Sequence, residues 1–338
     1  MCTSVFQIGQ TDGAHVLART MDWPRLGARP VFCPRNFVWN SIYDDQQYTT
    51  KYALIGSGGA HDREIDVSDG VNECGLAVQK LTFTNGSELV TEPGAGKIHL
   101  APFELSFYLL ANYRSVQDIV DHIEEIELMA DKHSLKKYGH SELHFAACDS
   151  TGRSIVIEPV TSPIEIIENP LGILTNSHHF DRQIERLGRY LDFTPAFLNH
   201  AVPLNAPRVT TGNVSGKSIP PGSYSPGSRF IRAAYLKERI DLPQTENEAV
   251  DNCWHILDSV NVPKSQEHQP TYSVYRAAVC CESLNYYYQP YHAKSVVRIQ
   301  LTSELMASNQ LKFFDVKDRI QFVDIYCIIG KDDLNRGN

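Results

Sequence analysis

The chain has 338 residues, 42% hydrophobic and 21% charged, with a formal net charge of −9. That length admits one large domain or two small ones, and the composition is neither disordered nor fibrous. An acidic surface repels phosphate backbones and no apolar run approaches the roughly 20 residues of a membrane helix, so neither nucleic acid nor membrane is an expected partner.

Residues 3–8 and 14–20 read as two β-strands, with Gln10-Thr11-Asp12-Gly13 as the turn between them. The N-terminus lacks the basic start and apolar core of a signal peptide, which leads to a cytoplasmic expectation. Residues 24–40 carry Pro24, Pro30 and Pro34 and read as irregular or edge-like. Strands are expected over 52–55 and 76–83. Residues 101–128 form the clearest helical region, in two helices, the first opening on Pro102. A strand meander follows over 142–148, 154–159, 164–168 and 172–175. Residues 203–228 are rich in Pro, Gly and Ser, and a loop of that length is usually functional. Ser225-Pro226-Gly227-Ser228 starts a helix that continues over 229–240, and a further helix covers 245–260. Residues 271–281, 285–291 and 295–301 read as consecutive antiparallel strands. Strands and helices come in blocks, not as βαβ units, which points to α+β layers with antiparallel sheets.

Of the eight cysteines, Cys148 and Cys327 lie in apolar runs and read as small buried hydrophobes. Cys2 is preceded by Met1 alone and lies in no apolar run of that kind. Removal of Met1 would give it a thiol and a free α-amine on one residue. An α-amine titrates at about 7.7–8.0, so it can serve as general base to its own thiol. The competing reading is a mere neighbour of the start codon. Arg19 and Asp22 are charges near the end of an apolar strand and need partners. Asp22 suits an ammonium, and Arg19 a thiolate or a substrate carboxylate. A surface ion pair is the plainer alternative, and strict alternation puts the two on opposite faces. Asn176, at a strand end, suits either a turn or an amide donor to an oxyanion. Arg229 and Arg232 sit in a helix's first turn, against the helix dipole; they either meet an anionic partner or reach solvent. His178 and His179 are adjacent, which is not a helical zinc spacing, so neither metal nor cofactor is expected. Asn213-Val214-Ser215 matches a glycosylation pattern that has no meaning in a cytoplasmic protein.

Taken together, these positions resemble a known family. Met1-Cys2-Thr3-Ser4, Ala18-Arg19-Thr20-Met21-Asp22, Pro34-Arg35-Asn36, Asp69-Gly70-Val71-Asn72-Glu73, Ile155-Val156-Ile157-Glu158-Pro159, Leu174-Thr175-Asn176-Ser177 and Pro221-Gly222-Ser223-Tyr224-Ser225-Pro226-Gly227-Ser228-Arg229-Phe230 occur in order. The chain resembles the choloylglycine hydrolase family, which contains penicillin V acylases and conjugated bile salt hydrolases. The resemblance implies one domain over 1–338 with the four-layer αββα sandwich of N-terminal-nucleophile hydrolases, two antiparallel sheets between helices. It also implies a homotetramer acting on a small acyl amide. The roles it implies are Cys2 as nucleophile and base, Arg19 and Asp22 beside it with Asp22 holding the amine, Asn176 in the oxyanion hole and Arg229 in support. Thr82 stands where bile salt hydrolases typically have Asn and penicillin V acylases Tyr, so only its backbone N–H is expected in the oxyanion hole. The 18–23 strand and residues 256–264 lean toward penicillin V acylase, with conjugated bile salts as the alternative, N-acyl homoserine lactones behind them, and a catalytically silent acyl-amide-binding relative as the non-enzymatic reading.

Overall fold

A computed structural model describes residues 2–61, 64–84, 86–130, 142–161, 164–191, 220–267 and 270–322. Two antiparallel sheets lie face to face. The first holds β1 (Cys2–Ile8), β2 (His15–Trp23), β14 (Ile173–Leu174), β15 (Tyr272–Cys280), β16 (Asn285–Pro290) and β17 (Val297–Gln300), in spatial order 14-1-2-15-16-17. The second holds β3 (Arg29–Cys33), β6 (Leu54–His61), β7 (Glu64–Asn72), β8 (Ala77–Thr82), β11 (Leu143–Cys148), β12 (Ser154–Glu158), β13 (Glu165–Glu168) and β18 (Lys312–Phe313), in order 13-12-11-8-7-6-3-18. Two small pairings stand apart, β4 (Val38–Asn40) with β5 (Gln47–Thr49) and β9 (Ile98–Leu100) with β10 (Ile126–Leu128).

Three apolar layers separate four structural ones, giving the expected αββα sandwich. Helix α1 (Leu105–Asn112) and helix α2 (Val116–His122) cover the outer face of the eight-stranded sheet, where Phe107, Leu109, Val116 and Ile119 meet Val78, Phe145 and Ile157. Between the sheets, Phe6, Leu17, Phe32, Ile55, Tyr275 and Tyr286 form the middle layer. Beyond the six-stranded sheet lie α3 (Phe180–Leu187), α4 (Pro226–Lys237) and α5 (Glu246–Val260). In α5, Ala249, Cys253, Ile256, Leu257 and Val260 are buried at helical spacing, and the Thr245 hydroxyl caps the first turn by accepting from Glu248 N. Strand β1 is covered on both faces, which is why six of its seven residues are buried rather than alternating.

The first hairpin sets up everything at the N-terminus. Gly9 N donates to Ala14 O at 2.8 Å, and Gly13 takes the left-handed conformation, φ 67°, that glycine accepts without steric cost. The register then runs from Ile8↔His15 to Cys2↔Met21, so Cys2 lies opposite the C-terminal half of β2.

Several elements differ from their sequence expectation: within residues 24–40, read as irregular or edge-like, β3 is a regular strand paired on both sides, with β6 and β18, and the helix α3 is not expected at all. The second helix stops at His122; Ile123–Glu125 is a 3₁₀ turn and Ile126–Leu128 a strand parallel to β9, since Ile126 and Leu128 also fit alternation. Strand β6 runs on to His61, past the 52–55 that the sequence marks, and β7 is a strand the sequence does not mark. The expected 203–228 loop falls outside the described residues as far as 219, as do Asn213 and Cys327, and Pro226–Ser228 already belong to α4.

Candidate active site

Cys2, at the first position of β1, is 2% exposed and lines a cavity of about 410 Å³. Side chains reach it from both faces of its sheet. From the side facing the second sheet, the Arg19 guanidinium donates through Nη2 to Cys2 Sγ at 2.9 Å and approaches Met21 Sδ at 3.1 Å. Its Nη1 donates to Ser68 O at 2.8 Å and lies 3.6 Å from Asp69 Oδ2. Asp69 in turn accepts from the Tyr275 and Tyr286 hydroxyls, both at 2.6 Å. Arg19 is fully buried. Burial opposes its charge, but Cys2, Tyr275 and Asp69 outweigh that and hold the guanidinium above its ordinary value. Burial raises the Asp69 carboxyl, with Arg19 and the two tyrosines working against it. A fixed cation thus faces the sulfur, anchored by a buried carboxylate on the other sheet.

From the helix side, Arg229 of α4 donates to Cys2 O, to Thr3 Oγ1 at 2.7 Å and, through Nη2, to Asn176 Oδ1 at 2.6 Å. It lies 3.8 Å from Asp22 Oδ2, and Asp22 Oδ1 accepts from Ser273 Oγ at 2.6 Å. Arg229 is completely buried, and burial lowers its affinity for a proton while Asp22 raises it. So Arg19 and Asp22 do sit on opposite sides of β2; both reach one site because Cys2 ends its strand and is open from either side. They are not a surface ion pair: both are 0% exposed. Arg232 has a different use, donating to Ser259 O, Pro221 O and Ser223 O and so fixing the segment before α4.

Asn176 follows β14. Its Oδ1 accepts from Cys2 N at 2.6 Å, and its Nδ2 donates to Thr82 O at 2.9 Å. An amide nitrogen has two hydrogens, so one remains for a ligand oxygen. Phe83 N donates to Glu142 O, toward β11. Successive residues in a strand turn their N–H and C=O groups to alternate sides, so Thr82 directs both of its own toward Asn176. The β7–β8 register ends at Asp69↔Gln79, short of Thr82. Thr82 lines the cavity with Cys2, and the Asn176 amide lies beside both, bonded to Cys2 N and Thr82 O.

The Asn176 segment is clamped from beneath. Gln183 Nε2 donates to Asn176 O at 2.8 Å and to His178 O at 2.6 Å. Buried Glu158 lies 3.3 Å from His144 Nδ1 and 3.4 Å from His179 Nδ1, and accepts from Phe180 N at 3.0 Å. The two histidines far apart in sequence thus meet at a carboxylate, and among the described residues no group of three or more His, Cys, Asp or Glu is placed to hold a metal.

Sequence reasoning had no role for Asp69, Tyr275, Tyr286, Ser68 or Gln183. Asp69 carried a usable signal, an acid inside the buried run Val67–Val71, which requires a partner. The tyrosines carried none, because their partner is over 200 residues away.

Chemically, the site offers a sulfur facing a guanidinium, with the unpaired strand edge of Thr82 and the Asn176 amide beside it. That set suits attack on a carbonyl and stabilisation of the resulting oxyanion.

Comparison with known proteins gives the same class of chemistry. The model of the linear amide C–N hydrolases, choloylglycine hydrolase family, matches residues 2–320. A bile salt hydrolase/transferase of Clostridium perfringens is 28% identical over 323 residues, covering 93% of this chain and 96% of that protein. The crystal structure of a mutant conjugated bile acid hydrolase from the same organism superposes with a TM-score of 0.79 at 27% identity, covering 96% of this chain and all of the other. A penicillin V acylase of Pectobacterium atrosepticum is 24% identical over 200 residues, 58% of this chain and 47% of that protein.

Proposed function

Because the chain belongs to the choloylglycine hydrolase family and is an amidase of linear C–N bonds, we propose that it cleaves an acyl amide through a thioester on Cys2. The observation that carries this reading is the contact of Arg19 Nη2 with Cys2 Sγ at 2.9 Å inside a cavity able to hold a drug-sized ligand. Removal of Met1 frees the α-amine. The amine takes the thiol proton as sulfur attacks the amide carbonyl. The oxyanion forms beside the Thr82 N–H and the second Asn176 amide hydrogen. The amine then returns the proton to the leaving nitrogen, the C–N bond breaks, and water hydrolyses the thioester to release the acid. Arg19 balances charge on sulfur. Asn176 Oδ1 orients the amine, and buried Asp22 offsets the positive charge of Arg229 beside it.

The cavity favours an acyl group that is bulky and mainly apolar, since Met21, Trp23, Ile65, Phe103, Leu143 and Val274 line it. A conjugated bile salt is the first substrate to test, because relatives of that name match this chain at nearly full length. Penicillin V is the second, favoured by the sequence of β2. The experiment is a hydrolysis panel of glycocholate, taurocholate, penicillin V and an N-acyl homoserine lactone with wild type and Cys2→Ala. The variant should lose at least about a thousandfold in kcat; retained turnover would contradict the mechanism, and no turnover by either would favour a silent acyl-amide binder. The same reading takes the enzyme as a cytoplasmic homotetramer; light scattering should return four chains, and a monomer would count against it.

A further inference from the structure

Thr82 and Asn176 belong to different sheets, Thr82 at the end of β8 and Asn176 just after β14. One side chain touches the neighbours of both. His144 of β11 is completely buried. Its Nε2 lies 2.6 Å from Thr175 O, the carbonyl immediately before Asn176. Its ring stacks on Phe83, immediately after Thr82, with centroids 4.4 Å apart and planes 13° from parallel. A carbonyl oxygen only accepts, so Nε2 carries the hydrogen of the Thr175 bond. The other ring nitrogen, Nδ1, lies 3.3 Å from Oε1 of buried Glu158. Glu158 is fixed in turn: Oε1 accepts from Phe180 N at 3.0 Å, and Oε2 lies 3.4 Å from His179 Nδ1. Glu158 belongs to the Ile155-Val156-Ile157-Glu158-Pro159 motif, to which the mechanism gives no part. A buried ionisable pair is weak evidence of stabilisation, since apolar residues of the same volume often do as well.

We propose that His144, oriented by Glu158, is a positioning residue that holds the Thr82 N–H and the Asn176 amide at a fixed separation. The inference rests on the thioester reading above, in which those two groups receive the oxyanion. Such donors work only when they are already in place around the position the oxyanion will occupy. Here they come from two sheets, so something must tie the sheets together at that point. Two other bonds cross the same gap, Asn176 Nδ2 to Thr82 O and Ser177 Oγ to Thr84 O, both at 2.9 Å. The first is made by the amide that must also serve the ligand, and the second is exposed to water. The His144 ring is buried, flat and rigid, and it touches no reacting atom. It is therefore the tie best able to keep its geometry while the oxyanion forms.

The test uses two variants. His144→Phe keeps a flat ring on Phe83 and removes both ring nitrogens; His144→Gln keeps an amide able to donate to Thr175 O. On glycocholate and penicillin V, His144→Phe should lower kcat by about tenfold or more and leave KM within about threefold, and His144→Gln should recover most of the loss. The second reading is inhibition by the aldehydes that correspond to cholate and phenoxyacetate, each compared with its acid. The Cys2 sulfur adds to the aldehyde carbon, the C=O π bond opens onto oxygen, and the thiol proton passes to the amine, which leaves an oxyanion without any leaving group. Wild type should bind at least one aldehyde more tightly than its acid, and in His144→Phe that advantage should shrink by about tenfold while the acid binds as before. Partial unfolding would weaken aldehyde and acid alike and leave their ratio unchanged. An unchanged kcat, or the wild-type ratio in His144→Phe, overturns the proposal. Should His144→Phe fail to fold, His144→Phe/Glu158→Gln removes the stranded buried carboxylate and gives the same comparison. Failure of the thioester reading shows differently, as hydrolysis that survives in Cys2→Ala or as a wild type that binds neither aldehyde beyond its acid; either removes the oxyanion that His144 would serve.

Discussion

Arg19 does two jobs with one guanidinium, and they separate by mutation. It faces Cys2 Sγ, and it neutralises Asp69 between the sheets. Arg19→Met leaves Asp69 buried with only its tyrosines, which should cost about 3–5 kcal/mol of stability by urea denaturation. Activity should fall by about a hundredfold or more, since the sulfur loses its only contacting cation among the described residues. Arg19→Met/Asp69→Asn should regain most of the stability and none of the activity. Joint recovery of both would show that Arg19 acts only through the fold. At this scale much was visible in the sequence: Cys2, Arg19, Asp22, Asn176 and Arg229 all converge in space. What was invisible is reciprocity. Asn176 Oδ1, not a carboxylate, receives Cys2 N, and Asp22 is joined to Cys2 through Arg229. Such bridges depend on rotamers and on which sheet faces which helix, neither of which a pattern of residue types encodes.

Strands β6 and β7 carry the Asp69 anchor, and glycines let them do so. Gly56 pairs with Gly70. A Cβ on Gly56 would lie 2.0 Å from Asp69 O, a backbone atom that cannot turn aside. Gly56→Ala should therefore cost at least about 1–3 kcal/mol, read as a lower denaturation midpoint, and should reduce kcat by moving Asp69. The same glycines explain why β7 escaped a sequence reading: they break the β-branched alternation that marks a strand. The end of α2 failed for another reason, because Ile126 fits helical spacing after Ile123 and strand alternation with Leu128 at once. On α4, burial pulls the Lys237 ammonium down to about 8, and Nζ donates to Leu171 O at 2.6 Å. Between that value and the ordinary 10.5, the unfolded chain keeps a proton that the folded chain has released, so this group adds stability as pH rises through the window. The midpoint difference, wild type minus Lys237→Met, should grow from pH 7 to pH 10; a flat difference would contradict the burial of this charge.

Over the whole molecule, the layer order puts the first residue of β1 where three contributions meet. The eight-stranded sheet supplies Thr82, Ser68 and Asp69, the six-stranded sheet Arg19 and Asp22, and the helical layer Arg229. The layers themselves were foreseeable, since blocks of alternating strands and amphipathic helices leave few other ways to bury both faces. The strand order was not. In the order 14-1-2-15-16-17, β2 and β15 are neighbours across some 250 residues of chain, and no local signal specifies such a pairing. In the proposed mechanism the acyl group passes through Cys2 exposed as the N-terminal residue. The measurement that tests it most directly is intact-protein mass, with peptide mapping, after acid quench of enzyme mixed with excess substrate. The expected species is a chain lacking Met1 that carries one acyl group on Cys2. Full turnover by chains that retain Met1, or an acyl group mapped to any other residue, would contradict it.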